Sequence, residues 1–157
     1  PPVPPVKNLD WVKNPIDAFI LSKLSDSGLK PNPEASKSEL ARRAYLNLTG
    51  LAPTPEQVSK FVADNSPDAW EKLVNSLLDK PQYGEKWARH WLDVVRYAES
   101  NGFERDSNKP HIWRYRDWVI DAYNNDKPYD RFIMEQLAGD ELEDSNHESM
   151  IATVSLD

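Results

Sequence analysis

Proline placement constrains the fold of this chain more than any other feature. Proline lacks a backbone N–H and has a fixed φ, so it breaks helix interiors and sheet ladders but fits the first helical turn. Asn14-Pro15 therefore predicts a helix start, with Asp17 near the positive end of the dipole, Ile16, Ile20 and Leu24 on one face, and Gly28 as the stop. Ser36 and Glu39 read as a capping box before Leu40, Ala44 and Leu48, with Gly50 closing that helix. Thr54-Pro55-Glu56-Gln57 repeats the pattern ahead of Val58, Phe61 and Val62. Ser66-Pro67 opens a fourth segment whose Trp70, Leu73, Val74, Leu77 and Leu78 form an amphipathic stripe. Pro81 opens a fifth to about Ser100, Pro110 a sixth to about Asn124, Lys127-Pro128 a seventh, and Asn146 an eighth. No polar–apolar alternation of strand length interrupts this series. The expected fold is all-α, a compact orthogonal bundle of about seven to eight short helices.

The N-terminal PPVPPV favours extended polyproline II, so residues 1–13 are expected to be a Pro-rich linker or arm before a single helical domain over 14–157. A start at Pro1 and an end inside an apolar run suggest a piece excised from a longer multidomain protein. With 157 residues a sizeable core can be buried without metal or disulfide. Hydrophobic residues make up only 39%, but six Trp and six Tyr supply large apolar area. A net charge of −7 argues against nucleic acid and against an anionic membrane surface. Without cysteine the chain has no thiolate chemistry, disulfide or Cys-x-x-Cys-His haem attachment. No apolar run is long enough to span a bilayer, so membrane insertion is not expected.

Residues capable of chemistry concentrate between Trp87 and Asp117. On a helix continued to Ser100, Trp87, Trp91, Val94 and Ala98 form a core-facing stripe, flanked by His90, Asp93 and Tyr97. A histidine, a carboxylate and a phenol in that position suit acid–base work. They suit equally a buried polar network fastening two helices. In the sixth segment Arg116 interrupts an apolar arc of Ile112, Val119, Ile120 and Tyr123, so a buried carboxylate partner is expected, Asp93 or Asp140. That arginine reads as a structural ion pair or as an anchor for an anionic ligand. Trp113 is expected in the core by its spacing, while Tyr115 and Trp118 face the other way and form a candidate exposed contact surface. All three could instead stack on a sugar ring. The turn from Glu99 to Asp106, with Asn101-Gly102 at its bend, lacks the EF-hand pattern, and no metal is expected there. The candidate binding set is His90, Asp93, Tyr97, Asn101, Trp113, Arg116, Asp117 and Asp140, with no catalytic residue assigned. His147 and His111 carry no evident constellation. Nucleotide-loop, hydrolase-elbow and zinc-helix motifs are absent.

Three ordered stretches carry a resemblance. Asn14 to Ile20 reads NPIDAFI, Arg42 to Glu56 reads RRAYLNLTGLAPTPE, and Tyr83 to Asp93 reads YGEKWARHWLD. Arg96-Tyr97-Ala98, Asn101-Gly102, Trp113 to Asp117, Lys127 to Asp130 and Gln136 to Asp140 continue the order. Together they resemble the planctomycete-type cytochrome-associated domain of unknown function. The resemblance implies an exported, periplasmic or cell-surface multidomain protein in which this module follows a cytochrome-c-like haem domain. Haem is then expected only in that neighbour, with no cofactor in this chain. The sequence departs from the family's usual "ATGF" at Ala152-Thr153-Val154-Ser155. The expected role is a scaffold or a module binding a ligand or partner, with neighbouring domains, carbohydrate or a redox partner as candidates. The alternatives are part of an enzyme acting on exported carbohydrate, and an acidic docking domain for electron transfer.

Overall fold

A computed structural model describes residues 1–8, 10–102 and 106–153. Among them are eight α-helices and no strand, an all-α fold as the proline pattern predicts: α1 Pro15–Asp26, α2 Lys37–Thr49, α3 Pro55–Ala63, α4 Ala69–Leu78, α5 Pro81–Val94, α6 Trp113–Asn124, α7 Tyr129–Ala138 and α8 His147–Thr153. No helix among the described residues is long and apolar enough to cross a membrane. The chain divides into two units, Pro1–Ser36 and Lys37–Asp157.

The first unit contains α1. Asn14 caps it, accepting from the Ile16 and Asp17 amides, while Asp17 accepts from the Asn14 amide at 3.1 Å. Gly28 closes it at φ +67, and the Leu29 amide returns to the Leu24 carbonyl at 2.8 Å. Ala18 and Leu21 are buried, whereas Ile16 and Ile20 of the predicted stripe are exposed.

The second unit has two centres of packing. In the first, α2, α3 and α4 enclose Ala41, Phe61 and Ala69, with Ala44, Tyr45 and Leu77 beside them. Thr54 and Gln57 form the predicted capping box on α3. The Lys86 ammonium of α5 reaches the Leu46 and Asn47 carbonyls, satisfying orphan acceptors in the last turn of α2. The second centre joins α5, α6, α7 and α8 around Ala88, Tyr115, Trp118, Val119, Ala122, Phe132 and Ala152.

The α5–α6 contact is close because Gly84 has no side chain. A Cβ there would lie 2.5 Å from the Ile120 carbonyl oxygen. Asn124 of α6 uses the approach, accepting from the Gly84 amide at 2.8 Å and donating to the Pro81 carbonyl at 3.2 Å. Ala88, fully buried, continues the same face one turn on. This face, Gly84, Ala88 and half-buried Leu92 and Val95, differs from the predicted stripe: Val94 is 73% exposed and Ala98 is exposed. The stripe was drawn through the large apolar residues, but the small ones decide which side of a helix can approach another.

Helix α5 also stops at Val94, short of Ser100. Arg96 takes a left-handed conformation at φ 54, and the Tyr97 amide bonds back to the Leu92 carbonyl at 2.9 Å. This is a Schellman ending with a non-glycine residue in the left-handed position. Similarly, α6 begins at Trp113, since Pro110 occupies a turn before it.

An aromatic stack runs through the second centre. Tyr115 packs on Trp118 with centroids 6.0 Å apart, and Trp118 on Phe132 at 5.0 Å with planes 12° apart. Trp91 meets Phe132 edge-on at 5.0 Å. Its indole N–H donates at 3.0 Å to both the Tyr115 hydroxyl and the Gln136 carbonyl oxygen, and the Tyr115 hydroxyl donates to that same oxygen at 2.6 Å. A buried Glu135 carboxylate accepts from Lys127 and, at 2.7 Å, from Arg131. Helix α8 docks on the end of α7 through fully buried Ser149, whose hydroxyl donates to the Gly139 carbonyl at 2.7 Å. Ala152 is fully buried; Val154 and Ser155 of the departing motif lie outside the described residues.

Two outcomes follow for stability. Gly84→Ala gains about 1 kcal/mol of helix propensity but forces a methyl group against backbone, so a net loss of about 2 kcal/mol is expected in chemical denaturation. Burial alone would raise the Glu135 carboxyl, but hydrogen bonds from Lys127 and then Arg131 outweigh it and hold the pKa below the ordinary glutamate value. A depressed folded pKa contributes stability that is present above the unfolded value and is lost as pH falls through the folded one. The Tm should therefore decline below about pH 4.5, and Glu135→Gln, which leaves two cations short of a carboxylate, should cost about 3 kcal/mol at neutral pH and flatten that decline.

Candidate functional site

Along α6 the residues Trp113, Asp117 and Asp121 recur every fourth position and lead to Asn125 at its C-cap. They lie along one flank of the helix, beside the buried line Tyr115, Trp118, Val119 and Ala122. The α6 flank forms one wall of a cleft of about 420 Å³, and His147, Glu148 and Ile151 of α8 form the other. Arg114 and Lys127 also line it, and Trp118 contributes part of the apolar lining. The volume falls within the range of small-molecule sites.

Trp113 gives the cleft its aromatic surface. It is 44% exposed, unusual for a side chain that usually contributes to a core. The Arg114 guanidinium lies over its ring, 5.7 Å from the centroid. The cleft's charges divide into committed and uncommitted groups. Asp117 accepts from Arg116 at 2.9 Å and 2.8 Å. Lys127 is held by Glu135 and lies over the Trp118 ring at 4.9 Å. Asp121 and Glu148 have no side-chain ion pair among the described residues. The Asn125 amide donates to the Asp121 carbonyl at 2.9 Å, which orients its side-chain oxygen.

The structure distributes the predicted site residues differently from expectation. Trp113 and Asp117 of the candidate binding set line the cleft, as does Trp118 of the predicted contact pair; the other candidates do not. His90 and Asp93 are exposed on α5. The early helix end takes Tyr97 out of register with them, and its hydroxyl instead meets Glu99 at 3.4 Å. Burial, then the Glu99 carboxylate, raises the Tyr97 phenol above its ordinary value. No hydrogen bond or ion pair links His90, Asp93 and Tyr97, and the acid–base constellation does not form. Arg116 meets carboxylates, but they are Asp117 and, at 3.3 Å, Glu99, rather than Asp93 or the exposed Asp140. Its side chain is 38% exposed, so the pair is partly solvated and not buried. The hydrogen bond it donates to Asp117 raises its pKa.

The aromatic expectations are reversed. Tyr115 and Trp118, expected to be an exposed contact surface, are 1% and 5% exposed, and Trp113, expected in the core, faces the cleft. Phe132 of α7 supplies the stacking partner that draws Trp118 inward, and a contact between distant segments cannot be read from α6 alone. Asn101 is exposed and holds its own loop, donating to the Ser107 hydroxyl at 2.7 Å. Gly102 adopts φ +67, as an Asn-Gly bend requires; residues 103–105 of that turn lie outside the described residues. No group of three or more potential metal ligands occurs among the described residues.

Sequence reasoning missed Arg114, Asp121, Asn125, Lys127 and the α8 wall. A signal was present: a tryptophan heading a polar line at 113, 117, 121 and 125 is an aromatic on the hydrophilic flank of a helix. The contribution of His147 and Glu148 required the fold, because α8 is held on the end of α7 by the Ser149–Gly139 bond and joins the same core as α6 through Ala152.

No curated protein and no solved structure matches the chain. Residues 15–156 match the family PSCyt2, described as a protein of unknown function (DUF1549). These residues span nearly the whole sequence and include both walls of the α6–α8 cleft, and the chain belongs to that family.

Proposed function

We propose that this chain is a non-catalytic ligand-binding module and that the α6–α8 cleft is its binding site. The half-exposed Trp113 carries this reading, with Asp121 and Glu148 beside it, neither in a side-chain ion pair among the described residues. Binding sites combine an apolar or aromatic surface with a few convergent polar groups, and the cleft has both. Its walls are rigid by construction: α6 is fixed by the close contact with α5, and α8 by the buried Ser149. A site on packed helices positions its groups without an ordering cost at binding.

The acid–base reading has no support in the geometry, because His90 and Asp93 sit on an exposed face and neither lines a described cleft. A docking role for Tyr115 and Trp118 fails with their burial. The proposed setting follows the resemblance: an exported multidomain protein, periplasmic or at the cell surface, with this module next to a haem domain. In that setting the module holds its ligand within the same polypeptide as a redox centre.

A fragment screen by NMR on the isotopically labelled 157-residue chain tests the site without assuming the ligand. Small polar and aromatic fragments should shift the Trp113 indole, the Asn125 side-chain amide and the α8 amides together, while His90→Ala leaves those shifts unchanged. Fragments that cluster around His90 and Asp93, or that leave Trp113 unperturbed, would contradict the assignment.

A further inference from the structure

We infer that the ligand of the α6–α8 cleft is a neutral sugar ring, recognised by stacking on Trp113 and by carboxylate acceptors for its hydroxyls; this rests on the reading of the cleft as a binding site. The argument begins with the aromatic. A tryptophan ring offers a broad flat face with negative quadrupole character. The C–H face of a pyranose is apolar and carries the complementary partial charge, and its rim is all hydroxyl. Only a ligand that is apolar on a face and polar around the edge uses such a wall fully.

The polar groups fit that rim. Hydroxyls both donate and accept, and carboxylates accept through two oxygens. Asp117 sits one turn from Trp113 and Asp121 one turn further, with Glu148 on the facing wall. Arg116 engages one Asp117 oxygen and leaves the other available. The Asn125 side-chain oxygen adds a further acceptor, and Arg114 and His147 are the donors within reach of the same space.

Charge then narrows the class. Lys127 is neutralised by Glu135, and Arg116 lies between Asp117 and Glu99. Among the described residues Arg114 is therefore the cation left to face Asp121 and Glu148, and these three groups sum to a negative charge. A carboxylated or sulfated sugar would be repelled at contact distance. The acidic chain as a whole, at −7, adds to that repulsion. A phosphorylated ligand is disfavoured for the same reason.

Titration of the labelled chain with neutral tetrasaccharides of β-linked glucose, mannose and xylose, and with tri-galacturonate, tests this. At least one neutral oligosaccharide should bind saturably and shift the Trp113 indole, and tri-galacturonate should bind about tenfold more weakly. Trp113→Ala should weaken neutral-sugar binding about tenfold at unchanged Tm, and Trp113→Phe should retain part of it. Asp121→Asn combined with Glu148→Gln should weaken the neutral sugar and narrow the gap to the acidic one. If no neutral oligosaccharide perturbs Trp113 while fragments still do, the cleft stands as a binding site and the sugar assignment falls. Equal binding of tri-galacturonate also overturns it. If neither sugars nor fragments perturb Trp113, both the assignment and the binding reading fall.

Discussion

The rest of the second unit depends on the contact between Gly84 of α5 and the backbone of α6. With no Cβ at Gly84, Asn124 can tie the first turn of α5 to the end of α6 through both atoms of its side-chain amide. That contact fixes the rotation of α6 about its own axis. Once the rotation is set, Tyr115, Trp118, Val119 and Ala122 face inward, and the line from Trp113 to Asn125 lies along the open flank. The candidate site is thus a consequence of helix packing more than of any local motif.

Polar groups inside the core serve the same end. Trp91, Tyr115 and Gln136 are mutually hydrogen-bonded, and Gln136 also donates to the Phe132 carbonyl at 3.2 Å. Directional bonds between three helices hold the register that aromatic stacking alone would leave loose. Not every buried polar atom is so satisfied: the indole N–H groups of Trp87 and Trp118 have no acceptor among the described residues. Glu135 acts at the edge of this core, and through Lys127 it links the folded centre to the cleft. Because Lys127 is committed there, the cleft keeps its negative balance, so one ion pair bears on stability and, in the proposed binding role, on the charge a ligand would meet.

Much of the fold was legible in the sequence. Asn14-Pro15 and Thr54-Pro55 mark helix starts where the caps form, and Asn146 immediately precedes α8. These signals are local, and local chemistry decides them. The site was less legible because its errors were errors of rotation and extent. Continuing α5 to Ser100 placed Tyr97 beside His90 and Asp93, whereas Arg96 turns the chain away at φ 54. Of the stripe expected on α5, Trp87 and Trp91 are half-buried and Trp91 packs on the core, but Val94 and Ala98 are exposed, because the close approach is made through Gly84 and Ala88. Trp118 is buried against Phe132 of another helix, a contact that α6 alone does not reveal, whereas Trp113 lies on the open flank. Of the candidates named from sequence, Trp113, Asp117 and, through its buried ring, Trp118 line the candidate site.

Helix α6 turns Trp113 outward and Trp118 inward. Indole N–H resonances, assigned by single Trp→Phe variants and followed as a soluble paramagnetic agent is added, measure this directly. The Trp113 signal should broaden strongly while those of Trp91 and Trp118 persist. A protected Trp113 with a broadened Trp118 would mean that α6 is rotated the other way and that the cleft described here does not exist.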